Sequence, residues 1–202
     1  HTLEFQFNPS KETLCVNGRP VSTLSNYTYI MLHKPVGYIT ATKSLDGRRP
    51  VMDLLNLPPS LQNTLSPVGR LDVETSGLLI ITNDGKFART LLDPRKKVEK
   101  EYVVEVEGFC ADSSLERLRH GVTIMVEEKP YTTLPAKVNL VSRERHRTVL
   151  HIIITEGKKR QIRLMMSAVG HPVLALKRVR IGRLSLENLP VGKWREIQQE
   201  EI

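Results

Sequence analysis

The chain has 202 residues, of which 40% are hydrophobic, and it carries a formal net charge of +8. This length can bury one sizeable core, either as a single domain or as two small intertwined halves. No apolar run approaches the roughly 20 residues that cross a bilayer. No signal or transit pattern is visible, and we expect a cytoplasmic protein. The two cysteines, Cys15 and Cys110, lack any metal-binding or redox spacing, which fits a reducing compartment.

Positive charge is concentrated in the last third of the chain. Residues 1–94 contain 9 Lys and Arg against 8 Asp and Glu, whereas residues 143–195 contain 13 against 3. Such a concentration is typical of a surface that binds phosphate backbone, because counterion release supplies much of the affinity. On charge alone, a solvated basic face and an anionic membrane surface are alternative explanations.

The first 25 residues are predicted to form a short hairpin or linker ahead of the main domain. Strands at 13–16 and 19–21 flank Asn17-Gly18, a pair typical of a tight hairpin turn. Because His1 is not an initiator methionine, we expect the chain to be a fragment or a processed form.

Residues 26–94 are predicted to form the first half of the main domain. The expected strands are 29–32, 38–42, 64–68 and 78–82, and the expected helices are 51–55 and a helix that begins at Asp84 as N-cap and ends at Asp93. The loop between Gly69 and Gly77 is mainly polar and contains Asp72, which therefore lies at the end of a buried strand. Its spacing alone fits an ordinary hairpin with an acidic loop.

Residues 95–202 are predicted to form the second half. The expected strands are 101–107, 122–126, 134–141 and 148–155, followed by short strands after 173, and the expected helices are 113–120 and 158–169. Alternation along 101–107 places Tyr102 on the inward face. Strands outnumber helices and do not alternate strictly with them. This pattern predicts an α+β fold with a mixed, mostly antiparallel central sheet, divided near 92–98.

The last predicted helix combines an apolar stripe with a basic start. Its core stripe is Ile162, Met165, Met166 and Val169. Lys158 and Lys159 would fall in its first turn, where cations oppose the helix dipole. That unfavourable placement indicates an anion that docks there, although a solvated basic turn explains it equally well.

Four segments of the sequence, in this order, resemble the RNA pseudouridine synthases of the RsuA type, which act on ribosomal RNA. They are residues 32–37 (LHKPVG), 69–85 (GRLDVETSGLLIITNDG), 100–102 (KEY) and 156–165 (EGKKRQIRLM). The resemblance implies one sheet shared by two halves with an active-site cleft between them. It also implies an N-terminal RNA-binding module of the S4 type, for which the first 25 residues leave no complete room.

The resemblance implies roles for individual side chains. Asp72 would be the catalytic carboxylate, Arg163 would pair with it, Tyr102 would pack on the target base, and Arg70 would hold the RNA open. Phosphate contacts are expected from the remaining basic residues of these segments and the following strands, namely Lys34, Lys158, Lys159, Arg160, Lys177, Arg178 and Arg180. The expected partner is RNA, bound by a monomer that needs no metal, nucleotide or other cofactor and no membrane.

Two other functions stay open at this point. The basic half could serve a non-catalytic RNA-binding or ribosome-assembly module, in which Asp72 and Tyr102 would be dispensable. Alternatively, Asp72 and Glu74 could share acid and base roles in a hydrolase. The sequence leaves undecided which uridine and which RNA are modified, and whether Asp72 attacks the sugar or the base or removes a sugar proton.

Overall fold

The computed structural model describes residues 15–16, 19–20 and 27–201. Within them the strands are β1 (Cys15–Val16), β2 (Arg19–Pro20), β3 (Tyr29–Lys34), β4 (Ser66–Val68), β5 (Ser76–Thr82), β6 (Lys100–Glu107), β7 (Thr123–Val126), β8 (Lys129–Thr132), β9 (Lys137–Arg143), β10 (Arg147–Ile154), β11 (Val173–Ile181), β12 (Leu184–Ser185) and β13 (Trp194–Glu196). The α-helices are α1 (Pro59–Gln62), α2 (Gly85–Leu92), α3 (Asp112–His120) and α4 (Gln161–Ala168), and short 3-10 helices lie at Val51–Leu54, Pro94–Lys96 and Gln199–Glu201.

Nine strands form one continuous sheet. The path through it is β13-β3-β5-β11-β6-β10-β9, with β4 paired to β5 and β12 paired to β11. Every neighbouring pair in this sheet is antiparallel apart from β5 and β11, which are parallel. The predicted α+β fold with a mixed, mostly antiparallel sheet is therefore confirmed.

Strand β5 lies at the centre of the first half and is buried on both faces. Leu79 and Ile81 face the main core, whereas Leu78 and Ile80 face a second, smaller core. All four side chains are fully buried. Burial on both faces explains why the sequence of this strand is continuously apolar and does not alternate.

The two halves of the sheet meet where β5 begins. Ser76 and Gly77 of β5 pair in parallel with Lys177 and Arg178 of β11. Gly77 has a φ of +111°, and a Cβ built on it would lie 2.1 Å from the carbonyl oxygen of Arg178 and 2.6 Å from its nitrogen. Only glycine leaves room for this approach of the two backbones.

The main core is packed between the sheet and helix α4. Tyr102 and Val104 from β6 meet the stripe that the sequence predicts on the last helix, Ile162, Met165, Met166 and Val169, all of which are buried. Both the inward face of β6 and this helical stripe are confirmed. Asp84 caps α2 as predicted, because its carboxylate accepts hydrogen bonds from the backbone N–H groups of Lys86 and Phe87.

Two predicted elements are wrong. The expected strand at 38–42 is a loop with a single bridge between Ile39 and Pro50, and Ile39 is the one buried residue of this segment. The expected helix 158–169 begins at Gln161, because Arg160 adopts a left-handed φ of 54° that interrupts it. Lys158 and Lys159 therefore precede the helix and do not lie in its first turn.

Other predictions are correct in part. The N-terminal hairpin is present as the paired strands β1 and β2, although its turn residues lie outside the described part of the chain. The short strands expected after 173 are present as β12 and β13, but they follow the nine-residue strand β11, which pairs with β6 along nearly its whole length. Strand β8 and helix α1 have no counterpart in the prediction.

The end of the chain returns to the first half of the sheet. Trp194 of β13 pairs with Leu32 of β3, and its partly buried side chain packs against the main core. Leu184, Leu186 and Ile197 complete the second core under β3 and β5. The last strand therefore lies at the edge of the sheet next to β3, although the sequence analysis places it in the predicted second half.

The contact at Gly77 yields a test of how the halves are joined. We expect Gly77→Ala to lower the free energy of unfolding by about 3 kcal/mol or more, since the methyl group overlaps the Arg178 backbone and the φ is unfavourable. Urea denaturation would measure the change. The control is Gly85→Ala in α2, where no atom lies within 4 Å of the new methyl group; a loss at Gly77 no larger than in this control would contradict the account.

Candidate active site

A cavity of about 590 Å³ opens between the two halves of the sheet. This size is typical of a pocket for a nucleotide-sized ligand. Seven of the predicted site residues line it, namely Arg70, Asp72, Tyr102, Lys158, Lys159, Arg160 and Arg178. The fold thus brings together side chains that lie about 100 positions apart in the sequence.

Asp72 lies in a tight turn immediately before the start of strand β5. The backbone N–H of Thr75 donates to the carbonyl of Asp72 at 3.0 Å and closes the turn. On the other side, Thr40 fixes the neighbouring residue, since its hydroxyl donates to the Leu71 carbonyl at 2.8 Å and accepts from the Leu71 N–H at 3.1 Å. The carboxylate of Asp72 is held in the cavity by a backbone that is anchored at both ends.

Lys34 lies beneath this turn and is fully buried. Its ammonium donates to the carbonyl oxygens of Pro35 at 2.9 Å and Thr75 at 2.8 Å. Burial lowers the pKa of Lys34 to about 8, against the opposing effect of the Asp72 negative charge. The predicted phosphate contact of Lys34 does not fit this position, because its ammonium is already bound to backbone oxygens inside the protein.

Tyr102 forms one wall of the cavity. It is 8% exposed and lies on β6 opposite Arg178 of β11. The ring is thus packed into the core on one side and lines the cavity with the other. A flat aromatic face at such a wall suits the stacking of a planar base.

Arg163 contacts the Asp72 turn through a different residue from the one expected. Its Nη2 donates to the backbone carbonyl of Glu74 at 3.0 Å, and its Nε lies 3.7 Å from the Glu74 carboxylate. Arg160 also binds this carboxylate, at 3.0 Å, and holds the pKa of Glu74 below its ordinary value. Among the described residues Asp72 forms no ion pair, so the expected pair with Arg163 is not present in this structure.

Glu74 faces a second hollow next to the main cavity. This hollow is lined by Glu74 and Arg163, together with Lys177 of β11, and Asp72 is not part of it. The two carboxylates of the hydrolase hypothesis therefore face different hollows, and Glu74 is engaged with two arginines. This arrangement argues against a shared acid and base role for Asp72 and Glu74.

The remaining predicted cations differ in their surroundings. Arg70, Lys158 and Lys159 are exposed at the rim of the cavity. Arg180 is instead turned away from it and forms ion pairs with Glu99 at 3.0 Å and Glu101 at 2.8 Å. Because both carboxylates neutralise Arg180, its predicted phosphate contact does not fit the structure.

Glu156, a buried carboxylate whose role the sequence analysis does not single out, also lines the cavity. Glu156 accepts hydrogen bonds from the Tyr131 hydroxyl, from the Leu134 N–H at 2.9 Å and from the Gln161 side-chain amide at 2.5 Å. These bonds tie the hairpin of β7 and β8 to the start of α4. The hydrogen bond to Glu156 also raises the pKa of Tyr131. In the sequence Glu156 is the first residue of the segment 156–165 that resembles the family, but the pair Glu156-Gly157 by itself indicates an ordinary turn, because the partner Tyr131 is distant in the chain.

The described part of the chain offers neither a metal site nor a membrane span. Within it, no group of three or more His, Cys, Asp and Glu side chains is placed to hold a metal ion. None of the described helices is long and apolar enough to span a membrane.

The chain is similar to known proteins over most of its length. Residues 28–168 match the family described as RNA pseudouridylate synthase. The ribosomal large subunit pseudouridine synthase B of Bacillus subtilis is 38% identical over 190 residues, covering 93% of this chain and 74% of that protein. The ribosomal small subunit pseudouridine synthase A of Escherichia coli is 34% identical over 187 residues, covering 92% and 77%.

A comparison with a solved structure points to the same family as these sequence relatives. The crystal structure of a pseudouridylate synthase superimposes with a TM-score of 0.78 at 28% identity, covering 90% of this chain and 75% of that one. The chain therefore belongs to the RNA pseudouridylate synthase family. It is an RNA pseudouridine synthase, as the resemblance of the four sequence segments implies.

The buried ammonium of Lys34 yields a prediction of pH dependence. Its pKa is about 8 in the folded protein, against 10.5 for an exposed lysine, so between these values the unfolded chain binds more protons. The free energy of unfolding should therefore rise with pH in this interval, by ~2 kcal/mol between about pH 7.5 and about pH 9.5. Below about pH 7 both states are almost fully protonated and this contribution stays constant.

Lys34→Met removes the titrating group and should remove this rise. Urea denaturation of wild type and variant at both pH values measures it, and Lys43→Met, an exposed lysine, is the control. If the difference in stability between wild type and Lys34→Met did not change with pH, the buried ammonium would not be titrating as described.

Proposed function

We propose that this chain converts a uridine of ribosomal RNA to pseudouridine, with the carboxylate of Asp72 as its catalytic group. The observation that carries the proposal is that Asp72 and Tyr102 line one nucleotide-sized cavity, with basic residues at its rim. Ribosomal RNA is the proposed substrate because the names of both sequence relatives refer to ribosomal subunits. The residues assigned below all come from one chain, so we propose that it acts as a monomer and without a nucleotide cofactor.

The reaction is an isomerisation in which atoms are conserved. The bond between N1 of uracil and C1′ of ribose breaks, the base turns, and C5 of uracil bonds to C1′. The proton leaves C5 and N1 gains one. A single ionised carboxylate next to the ribose can start this sequence as a nucleophile or as a proton acceptor.

The charge of Asp72 needs support in a cavity from which the substrate displaces water, because desolvation favours the neutral acid. The Lys34 ammonium provides a nearby positive charge, which interacts with Asp72 from beneath the turn. Arg163 holds the same turn from the other side through the Glu74 carbonyl. We assign Lys34 and Arg163 to positioning, and Tyr102 to packing on the base that enters the cavity.

The target uridine must leave its stack to reach this cavity, at a cost of a few kcal/mol. Exposed cations at the rim can offset this cost by binding the RNA backbone. We assign Arg70, which lies two residues before Asp72, to the gap that the uridine leaves in the RNA stack. Lys158 and Lys159 are assigned to phosphates around this gap, together with Arg160, which is exposed although it pairs with Glu74. Lys177 extends this basic surface into the second hollow.

The decisive experiment maps pseudouridines. Chemical mapping of ribosomal RNA from cells with and without this protein should show one or a few sites that disappear without it. The purified protein should then form pseudouridine at the same position in a transcript of that region. A protein that binds the transcript without forming pseudouridine would support a non-catalytic module instead.

Replacement of Asp72 tests the catalytic assignment. Asp72→Asn keeps the shape of the side chain and removes its charge, so we expect pseudouridine formation to fall at least ~10⁴-fold. Glu156, the buried carboxylate that also lines the cavity, does not take its place because it is held by Leu134 and Gln161. Affinity for the RNA, measured by filter binding, should change little. Asp53→Asn, at an exposed carboxylate on the 3-10 helix Val51–Leu54, is the control, and continued conversion by Asp72→Asn would refute the assignment.

A further inference from the structure

Arg178 is an unusual member of the cavity wall, because it is buried and incompletely bonded. Its side chain is only 5% exposed. The Nε donates to the carbonyl of Leu78 at 2.9 Å, whereas Nη2 is buried and has no hydrogen-bond partner among the described residues. One edge of the guanidinium thus fixes it to β5, and the other edge carries this Nη2. Arg178 is also one of the residues that line the cavity.

A second cation lies beside it. Lys100, at the start of β6, also lines the cavity, and its ammonium donates to the Val98 carbonyl at 3.0 Å. Burial lowers the pKa of Lys100, and the positive charge of Arg178 lowers it further. The two groups are therefore close enough to repel one another.

Neither cation forms an ion pair in the described part of the chain. The acidic neighbours of Lys100 in sequence, Glu99 and Glu101, bind Arg180 instead. This pairing follows from the alternation of strand β6, which directs Glu101 and Tyr102 to opposite faces. Lys100 and Arg178 therefore lie on the cavity side of the sheet, whereas Glu99 and Glu101 bind Arg180 on the opposite side.

This arrangement is costly without a ligand. A buried N–H that lacks a partner costs about 1–3 kcal/mol, and more on a charged group. Repulsion between two partly buried cations adds to the cost. A neutral carbonyl oxygen could accept the hydrogen bond but would leave the repulsion in place, whereas an anion removes both.

We propose that Arg178 and Lys100 form a subsite for an oxyanion inside the cavity, which binds a phosphodiester group flanking the uridine that is isomerised. This inference rests on the proposed function, because RNA supplies one phosphodiester with each nucleotide. The subsite differs from the exposed rim cations, which contact the backbone outside. It holds the nucleotide by its own phosphate while Asp72 faces the ribose.

The subsite can be tested without any reaction. Inorganic phosphate, titrated into the purified protein at constant ionic strength, should raise its melting temperature with a saturable dependence. Arg178→Met and Lys100→Met should each weaken the apparent binding of phosphate at least ~10-fold. The control Arg183→Met removes an exposed arginine that does not line the cavity and should respond like wild type. An equal response in all four proteins, or none in wild type, would overturn the subsite.

The link to catalysis can be tested on a transcript around the mapped uridine. Replacing the phosphodiester on either side of that uridine, one at a time, by a neutral methylphosphonate should lower kcat/KM at least ~10-fold in wild type for one of the two. In Arg178→Met the same replacement should cost less than ~2-fold, because its partner is already missing. A methylphosphonate several nucleotides away should affect both enzymes equally.

The two experiments separate failure of the subsite from failure of the proposed function. Equal losses in wild type and Arg178→Met would overturn the phosphate contact while leaving the synthase activity intact. If wild type formed no pseudouridine, the proposed function would fail and the phosphate titration would still judge the subsite. If Arg178→Met does not fold, Lys100→Met carries both measurements, since the partly exposed Lys100 anchors no neighbouring strand.

Discussion

The approach of β5 to β11 at Gly77 and Arg178 is the contact on which the active site depends. Only two residue pairs join the halves of the sheet at this point, and they are parallel in an otherwise antiparallel sheet. The Asp72 turn directly precedes β5, and Tyr102 lies on the strand next to β11. The same contact that joins the halves of the sheet therefore brings the Asp72 carboxylate and the Tyr102 ring into one cavity.

The basic side chains near this contact differ in what they bind. Lys34 is enclosed beneath the Asp72 turn, Arg178 and Lys100 face the cavity, and Arg180 is neutralised on the opposite face of the sheet. A high net charge thus does not mean that every cation binds RNA. Cations held by backbone carbonyls shape the site and cations paired with carboxylates hold the sheet together. We propose that the cations at the rim and in the cavity bind the substrate.

Much of the framework could be predicted from local sequence patterns. Three predicted features concern burial within a single element: the apolar run of β5, the alternation that turns Tyr102 inward and the apolar stripe of α4. Each of them can be predicted from a few consecutive residues of the sequence. The motif around Asp72 and the segment that contains Arg163 also identify the family.

What could not be predicted depends on contacts between distant residues. Lys34 is buried because its ammonium meets the Thr75 carbonyl, 41 residues away, and Arg163 holds Glu74, 89 residues away. Arg180 is paired with Glu101 from a neighbouring strand. In the sequence each of these side chains is an ordinary cation, and only the register of the sheet decides what it binds.

The most direct test of the central claim is a crystal structure of Asp72→Asn bound to a transcript that contains the mapped uridine. The account predicts that this uridine is turned out of its stack and lies in the cavity, with its base against Tyr102 and its ribose next to residue 72. An RNA bound elsewhere on the basic surface, with the uridine still stacked and the cavity empty, would contradict it.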